Sequence, residues 1–464
     1  MKNNDVGYLW NGIDLEALRV VMDKPSDEAI SSVYESHSMH HIAAVLKGMA
    51  KNDGLVSEEL PPALHDFIQK ELNRPFSTDD IEMFNQAHEV WKKHGMKFIF
   101  ILFFRALPYT YMAEKPANVL RMTRLLETHT DRRVIETAQF VFDVMDKNWW
   151  EPDKRGILTA LKIRIMHSAM RHIILHPDKK GEKWNNDWGK PISQEDLVAT
   201  NQVFSLEFFK GMEMLGQPLS EQEQKAWFHT WKTIGSIMGV QHELISETVE
   251  EAWELQHKIY DHLFNDQTHS GIALSKALVD TMHHFHMPER LILLLMKTML
   301  ADEQFPDCFE RMLGPSYSDS YPEYFVSHQT AEDKNKHREE VLHKHFHSHI
   351  KEFYHAISEK KSELKKEKNQ SGFFAKLLSR ILTLFGIKFS GSHSIDLHLG
   401  KMHNILHDLE SGEPVEKLEE DAIFELISIF GGIMVAVLSI HFRQGKESGF
   451  RIPNDLQENW ALKG

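Results

Sequence analysis

Apolar residues recur along this chain at steps of three and four, with no sustained step of two, so its long segments read as amphipathic or buried helices. Gly (24) and Pro (16) are sparse in 464 residues, which leaves those helices few interruptions, and no two segments read as a strand pair. The expected fold class is therefore all-α. The length suffices for one large helical domain with extensions. A formal charge of -15, from 68 acidic and 53 basic residues, would repel a phosphate backbone, so no nucleic-acid partner is expected. A single cysteine, Cys308, rules out an intrachain disulfide and a thiolate metal cluster, in keeping with a reducing, cytoplasmic setting. The first residues are acidic and polar, unlike an export signal.

Residues 1–97 read as an N-terminal helical packing region. One helix start within it is marked by Ser77 with Asp80 three residues on, the spacing at which each side chain satisfies the other residue's free amide. Residues 98–104, FIFILFF, are apolar on every face yet far too short to span a bilayer, so they belong in a core. They open a central region, 98–320, with helices predicted at 131–146, 156–176, 193–215, 220–238, 246–264, 272–284 and 288–301. Ser193 with Asp196 and Ser220 with Glu223 repeat the capping spacing. Turn-formers and aromatics gathered over 306–329 read as a connection. The remainder, 321–464, is a C-terminal helical extension. It holds a charged, His-rich helix over 330–367 and a basic amphipathic stretch over 373–389, suited to a membrane surface or to packing on the main domain. An apolar helix follows around 422–441, and its unbroken run of 15 residues is short for a bilayer span.

Two predicted helices carry chemistry. In RRVIETAQFVFDVM, Thr137, Phe140, Val141 and Val144 share one stripe with Arg133 a turn ahead, which points a charge and a hydroxyl toward the interior. A buried guanidinium needs an anion, either a structural carboxylate or a bound group. In ILTALKIRIMHSAMRHIIL, Ile163, His167, Met170 and Ile174 share a face, placing a single imidazole in a Met- and Ile-lined wall. Such an imidazole is a core histidine bonded to a carbonyl or a metal ligand. Arg164 and Arg171, a turn to either side, have propionates or protein acids as possible partners.

The order of four motifs, RALPYTYMAEKPANVLRMTRLLETHTDRRVIETAQFV, KIRIMHSAMRHII, WNNDWGKPISQEDLVATNQVFS and KAWFHTWKTIGSIMGV, resembles the rubber oxygenase (latex-clearing protein) and MpaB-type oxygenase family. The resemblance covers roughly residues 98 to 310, with Arg133, Thr137 and His167 in register. It implies a globin-like helical core with added N- and C-terminal helices, holding one haem b whose iron is ligated by His167. Arg133 would supply charge compensation and Thr137 a short hydrogen bond. Arg164, Met170 and Arg171 would lie against the cofactor. In relatives of this kind dioxygen adds across an isoprenoid double bond, giving aldehyde and ketone ends. Two departures stand out. The glutamate that rubber-cleaving members carry ahead of the Arg/Thr helix is replaced by KPANVL, with Glu114 the nearest acid, and Glu136 stands where some relatives have lysine. Both leave the implied haem site intact and put polymer cleavage in question, so the expected substrate is an intracellular isoprenoid or another unsaturated lipid.

Two rival readings stay open. Glu254-x-x-His257, Glu340-x-x-His343 and Glu352-x-x-His355 have the spacing of a di-iron carboxylate bundle. A haem or lipid carrier without catalysis would also satisfy the pattern.

Overall fold

The computed structural model describes residues 10–36, 61–122, 137–152, 155–177, 183–264, 268–284, 289–302, 304–325 and 355. These residues form helices and short 3-10 turns with no strand among them, so the chain is all-α. In chain order the helices are α1 (Leu15–Arg19), α2 (Lys24–Ser36), α3 (Pro62–Leu72), α4 (Thr78–Tyr111), α5 (Glu114–Met122), α6 (137–144) and α7 (Arg155–Leu175). There follow α8 (Gln194–Met214), α9 (Glu221–Ile237), α10 (Val249–Leu263), α11 (His269–His284), α12 (Glu289–Met299) and α13 (Cys308–Ser320).

The starts of α4, α8 and α9 are the three capping boxes visible in the sequence, Ser77/Asp80, Ser193/Asp196 and Ser220/Glu223. A fourth, Thr248/Glu251, opens α10. Each satisfies amides that the first helical turn leaves without partners.

Helix α4 is the axis on which the others assemble. Its apolar stretch from Phe98 to Phe104 is buried throughout. Phe98 packs edge-on against Phe208, with ring centroids 5.1 Å apart, and 5.2 Å from Trp227, so α8 and α9 close over it. Phe204 and Trp231 stack at 4.6 Å beside them. Backbone approach is close here: a Cβ on Gly211 of α8 would fall 2.6 Å from Ile101, so only glycine fits.

At Leu102–Ala106 α4 widens into one π turn, with the Leu107 amide donating to the carbonyl of Leu102. Pro108 supplies the reason, because its ring would collide with the carbonyl four residues back in a regular helix. The widened turn carries Arg105 wholly inside the protein. There its Nε donates to Glu207 of α8 at 2.6 Å, Nη1 to the Met299 carbonyl that ends α12 at 2.8 Å, and Nη2 to Asp302 at 3.2 Å. Tyr260 of α10 donates to the other Glu207 oxygen at 2.8 Å. Four helices thus meet at one guanidinium. Burial opposes its charge, but Glu207 and the other acids around it hold Arg105 firmly protonated.

The N-terminal segment is part of the same interior. Trp10, Ile30 and Val33 belong to one apolar core with Tyr324 at the far end of the described chain. The boundary expected at 97/98 falls inside α4 and divides nothing, because apolar residues on both sides of it face α9. Arg19 is buried between the Trp188 carbonyl, Ser193 and Asp196. Next to it His262 of α10 bridges Glu195 of α8 at 2.6 Å and Glu16 of α1 at 2.9 Å.

The connection expected over 306–329 is corrected. Residues Cys308–Ser320 are helical on both sides of a break at Gly314, whose φ of 70° precedes Pro315. Cys308, Phe309, Met312 and Leu313 bury against the core, and that spacing outweighs the turn-forming composition. Among the described residues no single helix is long and apolar enough to cross a membrane. The stretches 330–367, 373–389 and 422–441 lie outside the described residues apart from residue 355.

Glu207→Gln leaves Arg105 without its closest carboxylate and is expected to cost about 3–5 kcal/mol in chemical denaturation. A loss below about 1 kcal/mol, within the range of an exposed pair, would show that the remaining partners suffice. Hydrogen bonds, first from Glu195 and also from Glu16, raise the His262 imidazole above its ordinary 6.5. A raised folded-state value means the bound proton stabilises fully below 6.5 and that the contribution fades as pH climbs through the folded-state value. The Tm gap between the unsubstituted chain and His262→Asn should therefore be widest near about pH 6 and narrow toward about pH 9. A gap independent of pH would remove this linkage.

Candidate functional site

Helix α7 presents three different faces. Ile157, Ala160, Leu161, Ile165 and Ala169 are buried in the main core. Arg164, Ser168 and Arg171 are turned toward α2. The third face carries His167.

That third face is more open than the sequence pattern implies. Ile163, His167 and Met170 are half-buried, while Ile174 is buried against Val119 of α5 and Trp184. Alongside them Met166 is 37% and Ile173 43% exposed, although both are large apolar side chains. The Nδ1 atom of His167 is shut off from solvent. The expected stripe of Met and Ile is therefore present, half-buried rather than enclosed, with two large apolar side chains exposed along its edge.

Arg164 and Arg171 do not serve as partners for cofactor propionates. Arg164 forks onto Asp23, just ahead of α2, at 2.6 and 2.8 Å and donates to the Ile237 carbonyl at 2.9 Å. Arg171 donates to Asp27 at 2.8 Å, to Ser168 at 2.8 Å and to the Ile192 carbonyl at 3.1 Å. Their donors are spent on the protein itself, with acids the sequence pattern had no means of naming. Met170 stays on the His167 face, as expected.

Thr137 is half-buried at the first described residue of α6, and Phe140, Val141 and Val144 of its stripe are buried as predicted. Arg133 and Glu136 lie outside the described residues. Helices α6 and α7 are locked together by Asp143, which accepts from Gln139 and from Thr159, each at 2.7 Å, with Arg155 3.6 Å away. Burial pushes the Asp143 carboxyl above its usual range. This joint was missed in the sequence, though Gln139 and Asp143 at i, i+4 were its visible half.

Glu114, the nearest acid to the position of the missing glutamate, is engaged elsewhere. It accepts from the Ser270 amide at 2.8 Å and the Ser270 hydroxyl at 3.0 Å, and so caps the start of α11. Among the described residues no group of three or more His, Cys, Asp or Glu side chains converges as a metal site. Glu254 pairs with Lys258 at 3.6 Å and His257 lies 5.2 Å from the Trp253 ring, so that fragment of the di-iron pattern builds no centre. Glu340, His343 and Glu352 lie outside the described residues.

Residues 91–325, just over half of the chain, match the family described as ER-bound oxygenase mpaB/B'/Rubber oxygenase, catalytic domain. The chain belongs to this family. A rubber oxygenase from Streptomyces sp. (strain K30) is 24% identical to this oxygenase-family chain over 273 residues, which is 58% of this chain and 64% of that protein. A solved structure of latex clearing protein in the closed state superposes with a TM-score of 0.51 at 21% identity, covering 71% of this chain and 84% of that one. At that identity the likeness is one of fold, and it supports the all-α architecture. The family match of the oxygenase begins within α4 and ends just past α13, so α1, α2 and α3 stand outside it.

Proposed function

We propose that this chain is a haem b-dependent oxygenase acting on an unsaturated hydrophobic substrate, an isoprenoid or other lipid, with dioxygen as co-substrate. The observation that carries the reading is the single imidazole of His167 on an open, Met- and Ile-lined face of a helix inside the family's matched span. A protein-built metal centre needs several side chains brought together, and none converge among the described residues. A porphyrin brings four nitrogens of its own and asks the protein for one axial ligand and an apolar slot. The residues present therefore fit haem. When bound, it would supply an iron able to take up dioxygen.

The side chains of this chain have separate tasks. His167 would hold the iron of the group through its imidazole. Met166, Met170 and Ile173 offer the apolar surface that excludes water and receives a hydrocarbon chain. On this reading Thr137 would supply a hydroxyl and Arg133, which lies outside the described residues, a positive charge to the bound group. Since Arg164 and Arg171 are held by aspartates, compensation of the propionate charge falls to groups other than these two. Glu114 is committed as a helix cap, which argues against a base at that position and against direct transfer of the rubber-cleaving chemistry.

The purified chain is expected to show a strong Soret band with about one iron per chain, the stoichiometry of a single axial site. His167→Ala is expected to lose stable haem while keeping its helical content by circular dichroism. Two irons per chain without a Soret band, or an unchanged spectrum in His167→Ala, would overturn the assignment. Oxygen uptake with polyisoprenoid or unsaturated lipid then separates an oxygenase from a carrier, which would hold haem and consume nothing.

A further inference from the structure

His167 lies on α7 between Arg164 and Arg171, so whatever fixes the rotation of α7 bears on the direction in which its imidazole points. The restraint comes from α2. Along one stripe of each helix, Asp23 pairs with Arg164, Ser26 with Ser168 at 2.8 Å, and Asp27 with Arg171. On α7 the three partners are spaced by four and three residues, and on the α2 side they fall within one turn, from Asp23 to Asp27; His167 sits between the two arginines in the chain. At 3.6 residues per turn this stripe lies roughly 60° around α7 from His167.

The mechanical consequence is large. Turning α7 by about 20° moves an atom some ~6 Å from its axis by roughly 2 Å, far outside the tolerance of a metal–nitrogen bond. Each arginine also grips a backbone carbonyl, Ile237 at the end of α9 and Ile192 ahead of α8, so neither can swing without dragging two further elements. The fork of Arg164 on Asp23 is geometrically exacting, since both bonds must form in one plane. Gly239 allows this approach, because a Cβ there would stand 2.3 Å from Asp23.

We propose that Asp23, just ahead of α2, and Asp27 within it, through Arg164 and Arg171, are positioning residues that set the rotation of α7 and hence the aim of the His167 imidazole at its metal. The proposal rests on the reading of His167 as the haem ligand. It extends that reading to residues before position 91, outside the span that matches the family. The segment carrying these aspartates therefore belongs to the metal site's scaffold.

The test uses the full chain loaded with haem. Two quantities are read: the rate of haem transfer to an excess of apomyoglobin, and the electron paramagnetic resonance signature of the axial ligand. Asp27→Ala is expected to speed haem transfer by about tenfold or more, as loss of an outer-shell partner does, and to change the ligand signature. Asp27→Glu restores the charge and should return both readouts toward those of the unsubstituted chain. Asp27→Asn, which keeps an acceptor for Arg171, gives the same direction of change in case the alanine variant fails to fold. Glu207→Gln is the control for plain destabilisation, and it should lower Tm without moving either readout. If the Asp27 variants lower Tm but release haem at the original rate with an unchanged signature, the clamp is only structural and this proposal fails alone. If the unsubstituted chain takes no haem, or His167→Ala keeps it, the reading beneath fails as well.

Discussion

A buried guanidinium cannot shed its proton at any pH a cell meets, so every arginine drawn inside this protein must be met by carboxylates and carbonyls. Arg19, Arg105, Arg164 and Arg171 are all buried, and each joins segments far apart in the chain. An apolar contact tolerates sliding by a fraction of a turn, whereas a buried ion pair does not, because the charge left behind would cost several kcal/mol. These four groups therefore set the registry of helices that the hydrophobic core merely gathers. Arg105 fixes α4 against α8, α10 and α12, and Arg164 with Arg171 fixes α7 against α2.

Much of this fold was legible because its signals are local. Ser77, Ser193 and Ser220 announce their helices through a partner three residues away, and the all-face apolar run at 98–104 has no place but a core. The arginines mark the limit of that legibility. For Arg164 and Arg171 the sequence left cofactor propionates and protein acids open as partners, since Asp23 lies 141 residues from Arg164 in the chain, and Arg19 and Arg105 gave no local signal at all. The helical turns of Cys308–Ser320 were hidden for a different reason. Gly, Pro, Ser and Tyr there carry turn propensity, and tertiary burial of Met312 and Leu313 overrides it.

The sequence showed which residues share the His167 stripe but not what surrounds them. A stripe of Ile163, His167, Met170 and Ile174 looks the same in sequence whether a neighbouring helix or a cofactor covers it. The structure adds that Met166 and Ile173, beside this stripe, are exposed while Ile174 at its end is buried. Membership of the oxygenase family and an uncovered apolar surface around one imidazole support each other. Neither alone would favour a flat, oily cofactor over a buried structural histidine.

The N-terminal helices change what the catalytic domain must include. Between Glu16 and Asp27 the chain touches α10 through His262, α8 through Asp196 and α7 through Arg164 and Arg171. That short strap lies wholly before residue 91, where the family match begins. A fragment limited to the matched span would retain Arg164 and Arg171 while losing both aspartates, leaving two guanidinium groups on the flank of α7 without their acids. At about 3–5 kcal/mol for each broken pair, the deficit would consume much of the stability that holds a typical domain together. The helix carrying His167 would then be held by the contacts of its core face alone. The strap is thus part of what fixes α7 in place, because ion pairs that join segments 141 and 144 residues apart hold a rotation that an apolar contact alone would let slide.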